Sequence, residues 1–550
     1  MQVESAELVM RDLVDVLLQE ELVELTEEAP GWGRIRLATG SVSVPVRPGG
    51  ALQRYRFDCG PVLLDGSRPL TPAELLELVS ADSAEVAGDL RAAVEHTEVL
   101  REQRASLDLA PRDGRLLAGE RLAATRNRPF HPTARAAAGW CAEDVERCGP
   151  MRGEPLGLDW VAVRRDRLAH GGDPLSHHLA ELVLSPAEQR VVDEAGDDHQ
   201  AIPVHPWQFE HVLEKCFGEE LADGSVVPLA RGLGGFHPTS SIRTLTSEPE
   251  SDRHVKLPLG VATLGATRLL PPRYLANAER AQRCMADVLE RDPALAGRVA
   301  LCDERIWAGW HDPDDEFGDR PGQLAAQVRV YPELDGLVLP MAALAAHEWD
   351  VLAPAISDRF DPAWFFGDLA RSFCEVAFGF LSRGVLPELH GQNVVVQLRG
   401  GRAERFVLRD HDTLRLFPGW MQRAGTPDPN YLIKPGAPQS LRLDSAEALV
   451  GYLQTLGFQV NLYGIADALC RHFGLDERVL WARLHEAVLD CLPGQPVEVR
   501  EVLREQLLRA EAWPSRRVLE PLLRQGRSSG VSMPAGAGAV PNPLLVGVVA

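Results

Sequence analysis

Residues 388–412 read ELHGQNVVVQLRGGRAERFVLRDHD. Val394 to Leu398 has the β-branched, apolar character of a strand, and so does Arg405 to Arg409. Arg399-Gly400-Gly401-Arg402 supplies the turn between them. In an antiparallel hairpin the start of the first strand lies beside the end of the second. Asn393 and Asp410 are therefore expected at one edge, with Glu388, His390 and Gln392 just before it and Asp412 just after. Clustered carboxylate and amide oxygens suit Mg²⁺, usually with nucleotide phosphates completing the shell. A polar loop that merely caps a hairpin is the plainer alternative.

A second hairpin is read in HPTSSIRTLTSEPESDRHVKLPL, residues 237–259. Ser240 to Thr246 forms one strand, the loop SEPESD turns the chain, and Arg253 to Leu257 returns. A turn symmetric about 249–250 sets Arg243 opposite Lys256. Like charges facing across strands repel, and a polyanion between them removes the repulsion. Ser240, Ser241 and Thr244 add hydroxyl groups, and Thr263 and Arg268 follow in ATLGATRLL. The plainer alternative is an exposed hairpin with solvated charges.

Working outward, residues 5–28 carry apolar side chains at helical spacing. RIRLA, SVSVPV and RYRF between 33 and 64 read as short strands. Residues 72–125 return to helix, opened by Thr71-Pro72-x-Glu74 as a cap. The stretch 130–345 is mixed and includes a Gly-rich loop, RGLGGFHP (231–238). From about 350 helices dominate, and RSSGVSMPAGAGAVPNP near the end is loop-like.

The 550 residues carry a net charge of −22, with 45% hydrophobic and 25% charged residues. An acidic globular surface disfavours nucleic acid and anionic lipid as partners. Only three lysines occur (Lys215, Lys256, Lys434) among 57 basic residues, which singles out Lys256. Nine scattered cysteines without a CxxC pair argue against a disulfide scaffold or structural zinc. The acidic amphipathic N-terminus is unlike a signal peptide. The longest apolar run, Leu337 to Ala346, is about half the ~20 residues of a membrane helix. A cytoplasmic protein without a membrane partner is expected.

Taken in order, HPxxR…GW at 131–140, PVHPWQ at 203–208, HPTSSIRT at 237–244, KLPLGVATLGATR at 256–268, ELHGQN at 388–393, RDHD at 409–412 and PNPL at 541–544 resemble the NRPS-independent siderophore synthetases, the aerobactin-synthetase-like (IucA/IucC) family. The resemblance implies an α+β, multi-domain cupped hand: a thumb over residues 1–130, fingers over 131–345 and a mainly helical palm over 346–550. It implies ATP and Mg²⁺ as cofactors. A carboxylate, citrate most often, would be adenylated and then condensed with an amine, hydroxylamine or alcohol, releasing AMP and pyrophosphate.

By the same resemblance Ser241, Arg243, Thr244, Lys256, Arg268, His390, Gln392, Asn393 and Asp410 bind the nucleotide. Glu388, Gln392, Asn393 and Asp410 form the Mg²⁺ group. His131, Arg135, Thr263, Arg268 and His390 face the acid, and Lys256, Arg268 and His390 are the catalytic candidates. Look-alike enzymes point to a homodimer. The chain departs from the family's GHPxHPxxK pattern, with Arg128 for the first His and Arg135 for the Lys. A late lysine-rich helix of many relatives is replaced by a segment carrying Arg516, Arg517 and Arg524.

Two other readings compete. HGQN followed by RDHD resembles the loop-Asn and metal-Asp logic of kinases. Gln392 stands where a kinase has its catalytic Asp, however, and no Gly-rich phosphate loop or partner Lys precedes residue 230. The third reading is a non-catalytic siderophore-binding protein. The nucleotide product, AMP or ADP, separates the first two, and turnover excludes the third.

Overall fold

A computed structural model describes residues 4–37, 40–247, 252–436, 439–528 and 533–546. Val394–Arg399 and Arg402–Leu408 pair antiparallel around Gly400-Gly401, both at positive φ (+56° and +79°). A two-residue hairpin turn that follows the sheet's twist needs left-handed backbone at both positions, which glycine adopts without a Cβ clash. Leu337–Pro340 flanks the first strand antiparallel and Val299–Leu301 flanks the second in parallel. The long helix Pro362–Ser382 packs in the same core, its Phe373 meeting Phe406 edge-on at 6.2 Å.

The second hairpin lies inside an eight-stranded antiparallel sheet, where Arg253–Lys256 is sandwiched between Thr244–Thr246 and Ala325–Val330. Two expectations are corrected here. The first strand is three residues, not seven, because Thr239 to Arg243 folds into a tight loop with Ile242 at φ +51°. The register is also shifted by one residue. Thr244 opposes Lys256, and the Arg243 carbonyl accepts from the Leu257 amide at 2.9 Å. The repulsion inferred across the strands is absent, and Lys256 meets a carboxylate instead. Most of the turning loop, 248–251, lies outside the described residues.

The Gly-rich run 231–238 is not a loop. It belongs to a thirteen-residue strand, Val226–Pro238, paired to Leu156–Arg164 with three register shifts. Gly232 and Gly234, at φ +68° and +75°, take up the extra residues as bulges. The N-terminal helix is Ser5–Gln19 and stops short of 28; Leu25–Ala29 is a strand paired to Trp32–Arg36. Glu20, just past the helix, points inward and accepts the amides of Val518, Leu519 and Glu520. The helical expectation for 72–125 holds for Pro72–Val79, Ala84–Arg104 and Leu117–Arg126, with the predicted Thr71–Glu74 capping box formed. Near the C-terminus, Ala512–Arg517 and Gly536–Pro541 pair antiparallel across the intervening helix Leu519–Gln525, so part of that glycine-rich stretch is strand. Among the described residues no helix is long and apolar enough to cross a membrane.

A buried charge network ties the N-terminal unit to the helical core. Arg56, 1% exposed, bonds Asp15 at 2.7 Å, Asp467 at 3.1 Å and the hydroxyl of Tyr463. Arg126 and Arg471 reach the same Asp467 at 2.8 and 3.0 Å. Burial alone would raise the pKa of Asp467, but Arg471, Arg56 and Arg126 outweigh it and hold the carboxyl well below its ordinary value.

Removing one partner of such a network strands the rest, which costs about 3–5 kcal/mol. Arg56→Met should lower unfolding stability by that amount at neutral pH, measured by denaturant titration. A depressed carboxyl stabilises fully above its unfolded value of about 3.9 and loses its contribution as pH falls through the folded value. The gap between wild type and variant should therefore shrink in acid.

Candidate functional site

Asp410 sits where the two sheets meet, on left-handed backbone (φ +59°) immediately after the 394–408 hairpin. A non-glycine residue there is uncommon and is held by several bonds. Glu304, on the strand Asp303–Trp310, accepts the amides of Asp410 at 2.8 Å and His411 at 3.2 Å, and takes Arg329 Nε at 2.6 Å. Arg329 also bonds Asp410 itself, and Lys256 Nζ reaches the same Asp410 oxygen at 2.6 Å. Burial would raise the Asp410 pKa; Arg329 and Lys256 overcome it and push the carboxyl far down.

Arg409, the residue before it, is the other anchor. It donates to Glu120 at 2.5 Å, Tyr331 Oη at 2.7 Å and the Gln392 carbonyl at 2.7 Å. Glu120 in turn accepts Ser240 Oγ at 2.7 Å. One buried Arg–Glu pair thus fixes the helix Leu117–Arg126, the TSS loop and the HGQN loop against one another.

These anchors frame a cavity of about 460 Å³. Arg243, Lys256, Arg268, Glu388, His390, Gln392, Asn393 and Asp410 line it, so two segments some 130 residues apart converge. Ser241, Arg135 and Thr263 line a small side chamber of about 90 Å³ that shares Arg243, Arg268, Gln392 and Asp410 with it. Thr244 and His131 line neither. Thr244 is buried and accepts from Ser241 Oγ at 3.0 Å. His131 is fully buried; burial first, then Arg128 and Arg268, drives its pKa well below the ordinary value. Arg135 is pinned to Asp12 at 2.6 Å.

The cavity is strongly polarised. Arg243 donates to the Leu269 carbonyl and Arg268 to Thr263, while among the described residues Arg128 hydrogen-bonds the Met533 sulfur alone. Arg516, from the C-terminal strand pair, stacks on Tyr452. Among the described residues none of these four guanidinium groups holds a carboxylate. Burial, then Arg243 and Arg128, lowers Arg268 to about 9; burial, then Arg516, lowers Arg128 to about 10. Opposite them stand Glu388, Asp410 and Asp412. Burial, reinforced by Asp410, Glu388 and Glu304, raises Asp412 to about 6. Of these only Asp412 resists ionisation; neighbouring carboxylates suit a divalent cation, and crowded guanidinium groups suit a polyanion. Glu388 accepts Thr413 Oγ at 2.9 Å and Asn393 Nδ2 at 3.4 Å, keeping its second oxygen free of hydrogen bonds. Oxygen atoms of Glu388, Asn393 and Asp410 are of the kind Mg²⁺ takes, although among the described residues no three His, Cys, Asp or Glu side chains form a group that could hold a metal ion. His390 Nδ1 accepts the Gln392 amide at 3.2 Å, and burial lowers the ring's pKa, so His390 is neutral with its proton on Nε2.

Sequence reasoning passed over Glu304 and Arg329, which lie in no motif and reach Asp410 only through sheet pairing. It mentioned Asp412 without assigning it, and it treated Arg128 and Arg516 as departures. Both arginines face the cavity; Arg517 and Arg524 instead pair with Glu520. Two family-like motifs prove structural. His205 Nδ1 accepts the Trp207 amide to start a helix, and Gln208 braces Gly260 at 2.7 Å beneath the 259–268 segment. Asn542 of PNPL is buried and bonds the carbonyls of Leu507 and Ala510.

Residues 116–346 match the sequence model of the IucA / IucC family, and residues 376–528 that of the ferric iron reductase FhuF-like transporter. The chain is 32% identical to staphyloferrin B synthase of Staphylococcus aureus, over 98% of this chain and 97% of that protein. Its fold matches the petrobactin biosynthesis protein AsbB of Bacillus anthracis with a TM-score of 0.83 at 18% identity, covering 99% and 96% of the two chains. It also matches ATP-bound aerobactin synthetase IucA of Klebsiella pneumoniae with a TM-score of 0.76 at 19% identity, covering 99% and 100%.

Outer partners that orient a metal ligand are typically worth about 10–100-fold in affinity. Glu304→Gln, which keeps the shape but loses the charge that binds Arg329 and the Asp410 amide, should weaken Mn²⁺ binding by that factor. Calorimetric titration with Mn²⁺ as the Mg²⁺ surrogate measures it. Unchanged affinity would remove Asp410 from the metal group.

Proposed function

The chain belongs to the IucA/IucC family, and from that premise we propose that it is an ATP-dependent siderophore synthetase, an AMP-forming ligase joining a citrate-like acid to an amine, hydroxylamine or alcohol. The observation that carries this reading is the convergence, in one cavity, of three carboxylates and four guanidinium groups that have no carboxylate partner among the described residues.

In this reading the acid is held by Arg128 and Arg516, whose forks match a carboxylate. Both extend into the cavity from elements other than the phosphate-side strands. A carboxylate oxygen of the acid attacks the α-phosphorus of ATP, and the bond to the bridging oxygen breaks, releasing pyrophosphate. Arg243, Arg268 and Lys256 neutralise charge that builds on the phosphate oxygens. Glu388, Asn393 and Asp410, with Gln392 beside them, would hold Mg²⁺, which supplies further neutralisation on the phosphates. The nucleophile then attacks the acyl carbon, the bond to AMP breaks and one proton passes to solvent. Neutral His390 can donate Nε2–H to an oxygen of the acid or nucleotide without adding charge. The reaction would take place in the cytoplasm, where ATP is supplied.

Incubation with a panel of carboxylic acids, ATP, Mg²⁺ and hydroxylamine should give AMP and hydroxamate together with citrate or a close analogue. ADP in place of AMP would support the phosphotransferase reading instead. Lys256→Ala should cut turnover about 10²–10³-fold, the usual loss for one charge-stabilising donor, as measured by pyrophosphate release.

A further inference from the structure

A second and larger cavity, about 1,090 Å³, lies between the N-terminal unit and the helical core. Six arginines line it (Arg11, Arg47, Arg101, Arg104, Arg135 and Arg471) against three carboxylates. The wall itself is more positive than negative, with Asp12 and Asp467 standing just behind it, in a chain whose net charge is −22. Three of the six are committed: Arg104 to Glu348, Arg135 to Asp12 and Arg471 to Asp467.

The other three are held less firmly. Arg11 is only 7% exposed, and its Nε has no hydrogen-bond partner. Its nearest contacts are the Cys59 sulfur and a Glu7 oxygen, each at 3.9 Å. A buried guanidinium so poorly satisfied is costly. Arg101 reaches only Ser5 Oγ, at 3.3 Å. Arg47 makes no ion pair among the described residues. Leu8, Leu100 and Met151 supply apolar wall between the charges.

We propose that this cavity is a second anion site that takes a small polycarboxylate. Guanidinium forks bind carboxylates with two parallel hydrogen bonds, and Arg47 and Arg101, half-exposed and without a carboxylate partner among the described residues, offer such forks. The apolar wall suits a carbon skeleton, which inorganic phosphates lack. The site is not isolated. Leu100, Ala124 and Arg135 line both this cavity and the small side chamber, which itself opens on the residues of the main cavity. Arg135, locked on Asp12, is the partition. An acid bound on the far side of Arg135 stands one side chain away from the chamber that holds Arg268.

The test is calorimetric titration of the full chain with citrate in the absence of ATP, which makes it independent of any turnover. Arg47→Gln/Arg101→Gln changes two half-exposed residues, and Arg11→Gln changes the buried one; circular dichroism checks that each variant folds. A citrate-binding event should weaken by at least about tenfold, or 1.4 kcal/mol, in both variants and persist in Arg268→Gln. It should also weaken with salt. Binding lost in Arg268→Gln but kept in the Arg47/Arg101 variant would overturn the proposal by assigning citrate to the main cavity. No binding to wild type, or binding of pyrophosphate but not citrate, would overturn it as well. If Arg11→Gln does not fold, the Arg47/Arg101 variant decides alone.

Discussion

One buried carboxylate, Glu304, joins the two sheets that build the cavity. It stands on the eight-stranded sheet and accepts two consecutive amides from the end of the other sheet's hairpin, with Arg329 as counter-charge. Taking a carboxylate out of water is expensive and is tolerable only when its oxygens are fully satisfied. Here that satisfaction requires Asp410 to adopt left-handed backbone at one fixed place. The electrostatic demand of a residue outside every motif therefore decides where the motif residue Asp410 points. Arg409 and Glu120 repeat the device on the preceding residue, so the hairpin end is held from both sides.

The cavity reverses the charge of its surroundings. Net charge governs how the molecule meets large partners at a distance beyond a Debye length, about 8–10 Å. Within the cavity only near neighbours count, and there arginines crowd until burial and mutual repulsion bring Arg268 to about 9. An acidic exterior with a basic interior favours small anions that can enter over large ones that cannot. The same contrast recurs in the larger cavity beneath the N-terminal unit.

Much of this was legible in the sequence. The Gly-Gly turn set the 394–408 hairpin, and hairpin geometry alone put Asn393 beside Asp410. The capping box at Thr71 was equally local. The failures share a cause. A one-residue register error at Lys256 arose because the sequence SEPESD carries no signature that fixes its centre, and the Thr239–Arg243 loop consumed residues that looked like strand. Glycines at 232 and 234 resembled a loop because a bulged strand and a loop use the same residue. Leu25–Ala29 read as helix because apolar spacing ran on past Gln19, whereas Glu20 was needed by a helix 500 residues away. Glu304 and Arg329 left no signal, since their importance is created by pairing between distant strands.

Glu20 also bears on the order in which the molecule can be made. Its carboxylate waits, inside the first unit, for amides at 518–520, and Arg516 closes the cavity wall from the same late segment. On the ribosome the first unit emerges with an inward-facing charge unsatisfied and with Val518, Leu519 and Leu522 missing from its core. At about 5–20 residues per second, half a minute to nearly two minutes separates the first strand of that unit from the segment that completes it. The hand closes only when its last-made residues return to its first, so an unfinished chain cannot present a finished cavity.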